Sequence, residues 1–259
     1  MRLNVWVAVL GLFMTATISH NVQAFSIPQT EQTVNASRLA YIQLRATEGE
    51  AEAQFLLGLM YLSGRFVDPD LQQGRMWLLN AAEQGHLKAA KTIADLAFDG
   101  KIIDQDLSLA EHWYQQLAVE GDKWAEFRLG FIYAAGGKGI ERNCGKAVDH
   151  FLSVGDEVSL GNVVWILSTC PEPEYRNGDR AIEIGKGLVE ANEQDPTNLD
   201  NLAAAYAEIG DYTAAIHTQK RAIEALKHSS QLNRFDEFER RLQKYQQQQP
   251  YREVVSLTD

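Results

Sequence analysis

Two cysteines, Cys144 and Cys170, offer the clearest chemistry in this 259-residue chain. Cys144 begins one predicted helix, and Cys170 ends the predicted helix that follows it. Because antiparallel neighbours place the start of one helix beside the end of the next, a disulfide between them is geometrically reasonable. The alternative is a pair of buried free thiols. In either case, two cysteines are too few for a disulfide-framework mini-protein.

Catalytic and metal-binding patterns are weak in this sequence. It has no Gly-x-Ser-x-Gly, His-Glu-x-x-His or paired Cys-x-x-Cys motif. Residues 136–139 are glycine-rich, but no Ser or Thr follows their lysine, which favours a flexible turn over a phosphate loop. His112 and His150, with Glu111 or Asp149, are conceivable metal ligands, yet isolated helical histidines are usually surface or packing residues. We predict no catalytic residue, metal or cofactor, and therefore no enzyme.

A glycine recurs along the chain at intervals of 36, 36 and 34 residues, at Gly49, Gly85, Gly121 and Gly155. A fixed period of roughly 20–50 residues is typical of an array of stacked units. Within each unit, apolar and small residues recur at three- and four-residue spacing, which predicts helices that bury one stripe. Each unit is therefore predicted to be a helical hairpin that packs against its neighbours.

The first unit has the pattern Ala-Gln-Phe-x-Leu-Gly-x-x-Tyr-x-x-Gly from Ala53 to Gly64, followed by Trp77 and Gly85. This pattern resembles the Sel1-like repeat, a longer-looped branch of the tetratricopeptide superfamily. The third unit departs from it, because His150 stands where the tryptophan belongs and the unit ends early at Gly155.

Further on, the pattern resembles an ordinary tetratricopeptide repeat of about 34 residues. The residues that carry this second resemblance are Leu199, Leu202, Ala203, Tyr206, Gly210, Tyr212, Ala215 and Ala222. A degenerate unit over residues 162–188 precedes it. The two resemblances imply an all-α fold, a right-handed α-solenoid of stacked helical hairpins with Sel1-like repeats first and tetratricopeptide repeats second, in about twelve helices.

The resulting division of the chain has six parts. A lead-in and a lone helix from Ala36 precede the array, a polar-faced helix caps it, and the residues from Gln247 onward are expected to be frayed. The predicted boundaries are 1–24 for a signal peptide, 25–48 for the lead-in and half repeat, 49–156 for three Sel1-like repeats, 157–227 for degenerate and ordinary tetratricopeptide repeats, 228–246 for the capping helix and 247–259 for the tail.

The signal-peptide prediction depends on an uncharged, mostly apolar run over residues 5–18 and on small residues up to Ala24. A run of 14 residues is short for a membrane span, which needs about 20. We expect cleavage after Ala24 and a periplasmic or secreted protein, without stable membrane insertion; an uncleaved anchor is the alternative. The net charge of −11 argues against nucleic-acid binding.

In arrays of this superfamily, the first helix of each pair lines a concave surface, and the resemblance directs attention to that face. Trp124, Phe127 and Phe131 fall at i, i+3 and i+7 on one such helix, as an aromatic stripe suited to anchoring a peptide. Packing is the other interpretation, and it is stronger for the two phenylalanines. Further polar contacts along the groove are predicted for Lys91, Asp95, Asp200 and Glu208.

The favoured function is an exported interaction module or scaffold that binds a protein or peptide partner on its concave face, because a stacked array offers a long preformed surface. Two alternatives remain open: a cell-wall-directed enzyme or ligand-binding protein, and a structural homo-oligomer. No residue of the sequence identifies the partner.

Overall fold

The computed structural model describes residues 30–137, 139–229 and 232–257. The predicted signal peptide, residues 1–24, lies outside them. The described residues form twelve α-helices and two short 3-10 helices. The α-helices are α1 (Glu31–Thr47), α2 (Ala51–Ser63), α3 (Leu71–Glu83), α4 (Leu87–Asp99), α5 (Leu107–Val119), α6 (Lys123–Ala135), α7 (Cys144–Val154), α8 (Glu157–Thr169), α9 (Gly178–Ala191), α10 (Pro196–Glu208), α11 (Tyr212–Lys227) and α12 (Phe235–Gln246).

The helices pair as antiparallel neighbours along the chain, and each pair packs on the next. We call α2, α4, α6, α8 and α10 the first helices of the pairs; α12 packs on α11 at the end of the array. One correction concerns α1. It begins at Glu31 and not at Ala36, because the hydroxyl of Thr30 caps it by accepting a hydrogen bond from the Thr33 N–H.

Of the four periodic glycines, Gly49 follows α1 and the other three follow the second helices α3, α5 and α7. Their φ angles are all in the left-handed region: 94° at Gly49, 83° at Gly85, 84° at Gly121 and 73° at Gly155. Because a side chain makes this conformation costly, glycine is the residue that stops a helix there at little expense. The period in the sequence is therefore the spacing of the turns between stacked pairs.

Small residues inside the first helices let the paired helices approach closely. A Cβ atom on Gly58 would lie 2.9 Å from Leu78 Cγ, and one on Gly130 would lie 2.7 Å from the Phe151 ring. One continuous apolar core then runs from α3 to α10. The stacked hairpins therefore bury the stripe that a single hairpin would leave exposed.

A disulfide joins Cys144, the first residue of α7, to Cys170, which directly follows α8. Their Cα atoms are 6.5 Å apart, and both residues are buried. From the sequence, both this disulfide and a pair of free thiols were possible. The Glu172 carboxylate lies 3.1 Å from Cys170 Sγ, and a hydrogen bond from Arg142 holds the pKa of that carboxyl below its usual value.

Candidate peptide-binding face

One side of α6 carries a row of aromatic side chains on the face formed by the first helices. The Trp124 indole is 41% exposed and stacks on the Phe127 ring at a centroid distance of 5.8 Å. Phe127 in turn meets Phe131 edge-to-face at 5.0 Å. The three predicted aromatic residues therefore form a continuous stripe, with Trp124 as its exposed end.

Two predicted polar residues of α4 lie beside this stripe. Trp124 Nε1 donates a hydrogen bond to Asp95 Oδ1 at 3.1 Å, and the Tyr114 hydroxyl donates to the same oxygen at 2.6 Å. Burial and the Asp95 hydrogen bond raise the pKa of Tyr114, so its hydroxyl keeps its proton. The Lys91 ammonium is 5.8 Å from the centre of the Trp124 ring and 2.9 Å from Asp122 Oδ2. The tryptophan is thus held in one orientation from α4.

Arg128 completes the group, and the sequence analysis missed it. Its guanidinium carbon lies 4.4 Å from the centre of the Trp124 ring and 4.3 Å from that of Phe98. A cation over an aromatic face is favourable when it is partly desolvated. The spacing of four residues from Trp124 places Arg128 on the same helix face, so helical periodicity alone could have identified it.

Phe127 and Phe131 also pack inward, as their alternative interpretation proposed. Both rings lie edge-to-face against Phe151 of α7, at 5.7 Å and 5.2 Å. Both are half-buried. Each of these two rings therefore belongs to the aromatic stripe on one side and packs against the core on the other.

Asp200 lies apart from this group and is used inside the array. It is 1% exposed and forms an ion pair with Arg241, and Gln219 Nε2 donates to its Oδ1 at 2.7 Å. Burial raises the pKa of the Asp200 carboxyl, while the Arg241 guanidinium and the Gln219 amide oppose that rise. The structure places this predicted groove residue where it contacts the capping helix.

Glu208 lies at the C-terminal end of α10 between two arginines. Its Oε1 accepts a hydrogen bond from Arg176 Nε at 2.8 Å, and its Oε2 lies 2.5 Å from Arg252 Nη2. Arg252 belongs to the residues after the capping helix. Glu208 therefore pairs within the chain, with Arg176 and Arg252, and its predicted contact with a binding partner stays a prediction.

Residues 251–257, which we call the C-terminal segment, correct the expectation of a frayed tail. The Glu253 N–H donates to the Thr169 carbonyl at 3.1 Å, and Trp165 Nε1 donates to Glu253 Oε2 at 2.8 Å. Val255 and Leu257 pack against the main core. The segment is ordered because it lies across the first helices α8 and α10, where these hydrogen bonds and apolar contacts replace contacts with water.

Trp165 of α8 is the second functional candidate that the sequence analysis missed. Its ring lies 5.8 Å from that of Tyr251 and 5.2 Å from the guanidinium carbon of Arg241. A cleft of about 420 Å³ opens between the first helices, the capping helix α12 and the C-terminal segment, and Phe131 and Trp165 line it. Phe131 therefore connects the aromatic stripe of α6 with the part of the face that the segment covers.

The histidines considered as metal ligands have other partners. His150 Nδ1 lies 2.6 Å from Glu126 Oε2, and its ring stacks on Tyr133. The Tyr133 hydroxyl donates to Glu111 at 2.5 Å, and burial together with this bond raises the pKa of Tyr133 to about 12. His112 contacts the next turn of its own helix. Each side chain thus serves the packing of α5, α6 and α7.

One group of metal-ligating residue types lies close together in the described part of the chain. It consists of Cys144, Cys170 and Glu172. Both sulfurs are bonded to each other. A disulfide offers no thiolate, so this group does not fit a metal ion.

Comparison with known proteins identifies the repeat. A family model described as Sel1 repeat matches residues 51–86, 93–122 and 125–153. The chain carries three Sel1 repeats. Proteins built from such repeats generally mediate protein–protein interactions and are typically non-catalytic scaffolds. The matched residues cover α2 to α7 and include the aromatic stripe of α6.

Curated relatives share the repeats with this chain over a limited stretch. An uncharacterized protein of Neisseria meningitidis is 37% identical over 105 residues, which is 40% of this chain and 21% of that protein. An exopolysaccharide production negative regulator of Rhizobium meliloti is 35% identical over 91 residues, 34% of each chain. The chain thus spans between about a fifth and a third of the length of these relatives.

A solved structure shows the same fold. A Sel1 repeat protein from Oxalobacter formigenes superposes with a TM-score of 0.58 at 20% identity, over 77% of this chain and 58% of that one. The predicted all-α array of stacked helical hairpins is confirmed. Within the described residues, no helix has the length and apolar character needed to cross a membrane.

Proposed function

We propose that this protein is an exported interaction module that binds a protein or peptide partner on the face formed by its first helices. The observation that carries the proposal is the Trp124 indole, 41% exposed at the end of the aromatic stripe. Tryptophan and arginine are the residue types that most often dominate binding energy at interfaces. On this face both occur side by side, in Trp124 and Arg128.

The way in which Trp124 is held supports a binding role. Its indole N–H is fixed by Asp95, the Arg128 guanidinium lies over the ring, and the ring stacks on Phe127. A side chain already fixed in one rotamer loses little conformational entropy when a partner covers it. The exposed part of the ring can therefore bury apolar area at a small entropic cost.

The flanking charges indicate the chemistry of the partner. Lys91 and Arg128 place two cations against the Trp124 ring, although the whole chain is acidic. Both cations are already paired within the chain, Lys91 with Asp122 and Arg128 with Asp99. The arrangement therefore fits a partner that brings an apolar side chain to the ring and polar groups to its charged surroundings. The similarity to a negative regulator of exopolysaccharide production is in keeping with a regulatory role.

Affinity capture from envelope extracts tests the proposal. The intact protein and a Trp124→Ala variant serve as baits, and Val119→Ala is the matched control, because Val119 is 86% exposed on the second helix α5. We expect Trp124→Ala to lose the captured partner and Val119→Ala to retain it, while both variants keep the helical circular dichroism of the intact protein. Equal capture by all three baits would show that the partner binds elsewhere.

Export is tested separately, by sequencing the N-terminus of the protein recovered from its own cells. We expect a mature chain that begins at Phe25, found in the periplasmic or secreted fraction. A cytosolic protein that retains residues 1–24 would refute this part of the proposal and leave the binding face untouched.

A further inference from the structure

The C-terminal segment lies on this face in the manner of a bound extended peptide. Its last five described side chains alternate: Glu253, Val255 and Leu257 are half-buried, whereas Val254 and Ser256 are exposed; Tyr251 and Arg252 before them are both half-buried. A two-residue alternation is what an extended chain gives when one side rests on a surface. The segment therefore shows which peptide conformation the face accepts.

Side chains provide most of the specific contacts of the segment. The Glu253 carboxylate accepts a hydrogen bond from Trp165 Nε1 at 2.8 Å, and Arg252 Nη2 lies 2.5 Å from Glu208 Oε2. Arg252 Nη1 also donates to the Ser168 carbonyl at 3.1 Å. Backbone contacts alone would bind any sequence, but these contacts require an arginine followed by an acidic residue.

The receptor groups form a distinct set on α8 and α10. Trp165 supplies a donor for an acidic side chain and a ring for an aromatic one, since Tyr251 lies 5.8 Å from it. Glu208 supplies the acceptor for a cation. Phe131 of the aromatic stripe and Val255 of the segment line the same cleft.

We infer that the groove on α8 and α10 is a site for an extended partner peptide with the pattern aromatic–Arg–acidic–x–aliphatic, and that the C-terminal segment occupies it in cis until such a peptide displaces it. This inference rests on the proposed function and specifies its partner. The groove and the Trp124 stripe are adjacent parts of one face, so a longer partner covers both.

A short turn joins the segment to the capping helix, so the segment competes with any free peptide for the groove. The helix α12 ends at Gln246, and Gln248 adopts a left-handed φ of 57°. Tethering gives the segment an effective concentration in the millimolar range. A free peptide of the same sequence must therefore bind more weakly to the intact protein than to one whose segment has lost its anchors.

Fluorescence anisotropy tests this with the full chain and a labelled probe, the nine-residue peptide of residues 249–257. In the release variant, Arg252→Ala with Glu253→Ala removes the two charged side chains of the segment and leaves its backbone and apolar contacts in place. We expect the probe to bind the release variant at least tenfold more tightly than the intact protein. Adding Trp165→Phe to the release variant removes the indole donor and should lower the affinity of the probe about tenfold. Trp77→Phe on α3 is the matched control and should leave the affinity unchanged.

Two results would overturn the inference. One is no probe binding to a release variant that keeps the helical circular dichroism of the intact protein, and the other is equal probe affinity with and without the release substitutions. Glu253→Gln alone serves as a milder release variant if the double substitution disturbs folding. A negative probe result together with Trp124-dependent partner capture would remove this inference and leave the proposed function standing.

Discussion

Arg241 and Asp200 form a buried ion pair that connects the capping helix to the last repeat. Arg241 Nε lies 2.8 Å from Asp200 Oδ1, and Arg241 Nη2 lies 2.8 Å from Oδ2. The two side chains are 4% and 1% exposed. Because a buried charge without a partner is costly, each of these residues depends on the other.

Replacing Arg241 by Met should therefore destabilise the protein by about 3–5 kcal/mol, because Asp200 would be left buried without its partner. The measurement is urea unfolding followed by circular dichroism. Combining Arg241→Met with Asp200→Leu should recover a large part of the loss, since no uncompensated charge remains. If the double variant were as unstable as the sum of the two single variants, the ion pair would not be the source of the effect.

The disulfide should contribute to stability through the loop that it closes. Cys144 and Cys170 are 26 residues apart, and the chain-entropy model then gives about 3–4 kcal/mol. We expect the paired substitution Cys144→Ser and Cys170→Ser to lower the free energy of unfolding by this amount in urea. Reductant should lower the stability of the intact protein similarly and leave the variant unchanged. Two labelled thiols in unfolded, unreduced protein would contradict the bridge.

Two helical glycines should respond to alanine in opposite directions. Gly130→Ala places a Cβ 2.7 Å from the Phe151 ring, so we expect a loss of about 1–3 kcal/mol from overpacking. Gly187 in α9 has no atom within 4 Å of its added Cβ, and alanine there should gain about 0.5–1 kcal/mol. Thermal unfolding of both variants checks the pair. A destabilised Gly187→Ala would show that helix propensity does not decide this position.

The features of the fold that sequence predicts well are local ones. The left-handed turn at Gly85 and the cap of α3 by Asp70, whose carboxylate accepts the Gln73 N–H, depend on residues that are neighbours in the chain. Repetition at a fixed period strengthens each of these local signals. The helix count followed from the same reasoning.

The features that sequence did not predict depend on distant pairs. Trp165 and Glu253 are 88 residues apart, and Asp200 and Arg241 are 41 apart. No local pattern specifies that a polar segment after a capping helix returns to α8. From the sequence, Asp200 was predicted to be a polar contact in the groove, whereas the structure buries it against Arg241. No local pattern could predict this burial, because it depends on a residue far away in the chain.

Acid should weaken the protein partly through Asp122, the N-cap of α6. Burial opposes ionisation of this carboxyl, but the hydrogen bond from Lys91 and the N–H groups of Ala125 and Trp124 together hold its pKa below the ordinary value. A depressed folded-state pKa gives stability that is present above the unfolded pKa of about 3.9 and is lost as the pH falls through the folded value.

Two substitutions separate this contribution from other acid effects. Asp122→Asn keeps the cap and removes the charge, so the decline in the free energy of unfolding below about pH 4 should become shallower. Lys91→Met removes the hydrogen bond to Asp122 Oδ2, and nuclear magnetic resonance titration should then show a higher pKa for that carboxyl. In a protein that already carries Asp122→Asn, Lys91→Met should no longer alter the pH dependence of the free energy of unfolding. An unchanged Asp122 titration in Lys91→Met would show that the backbone N–H groups alone depress its pKa.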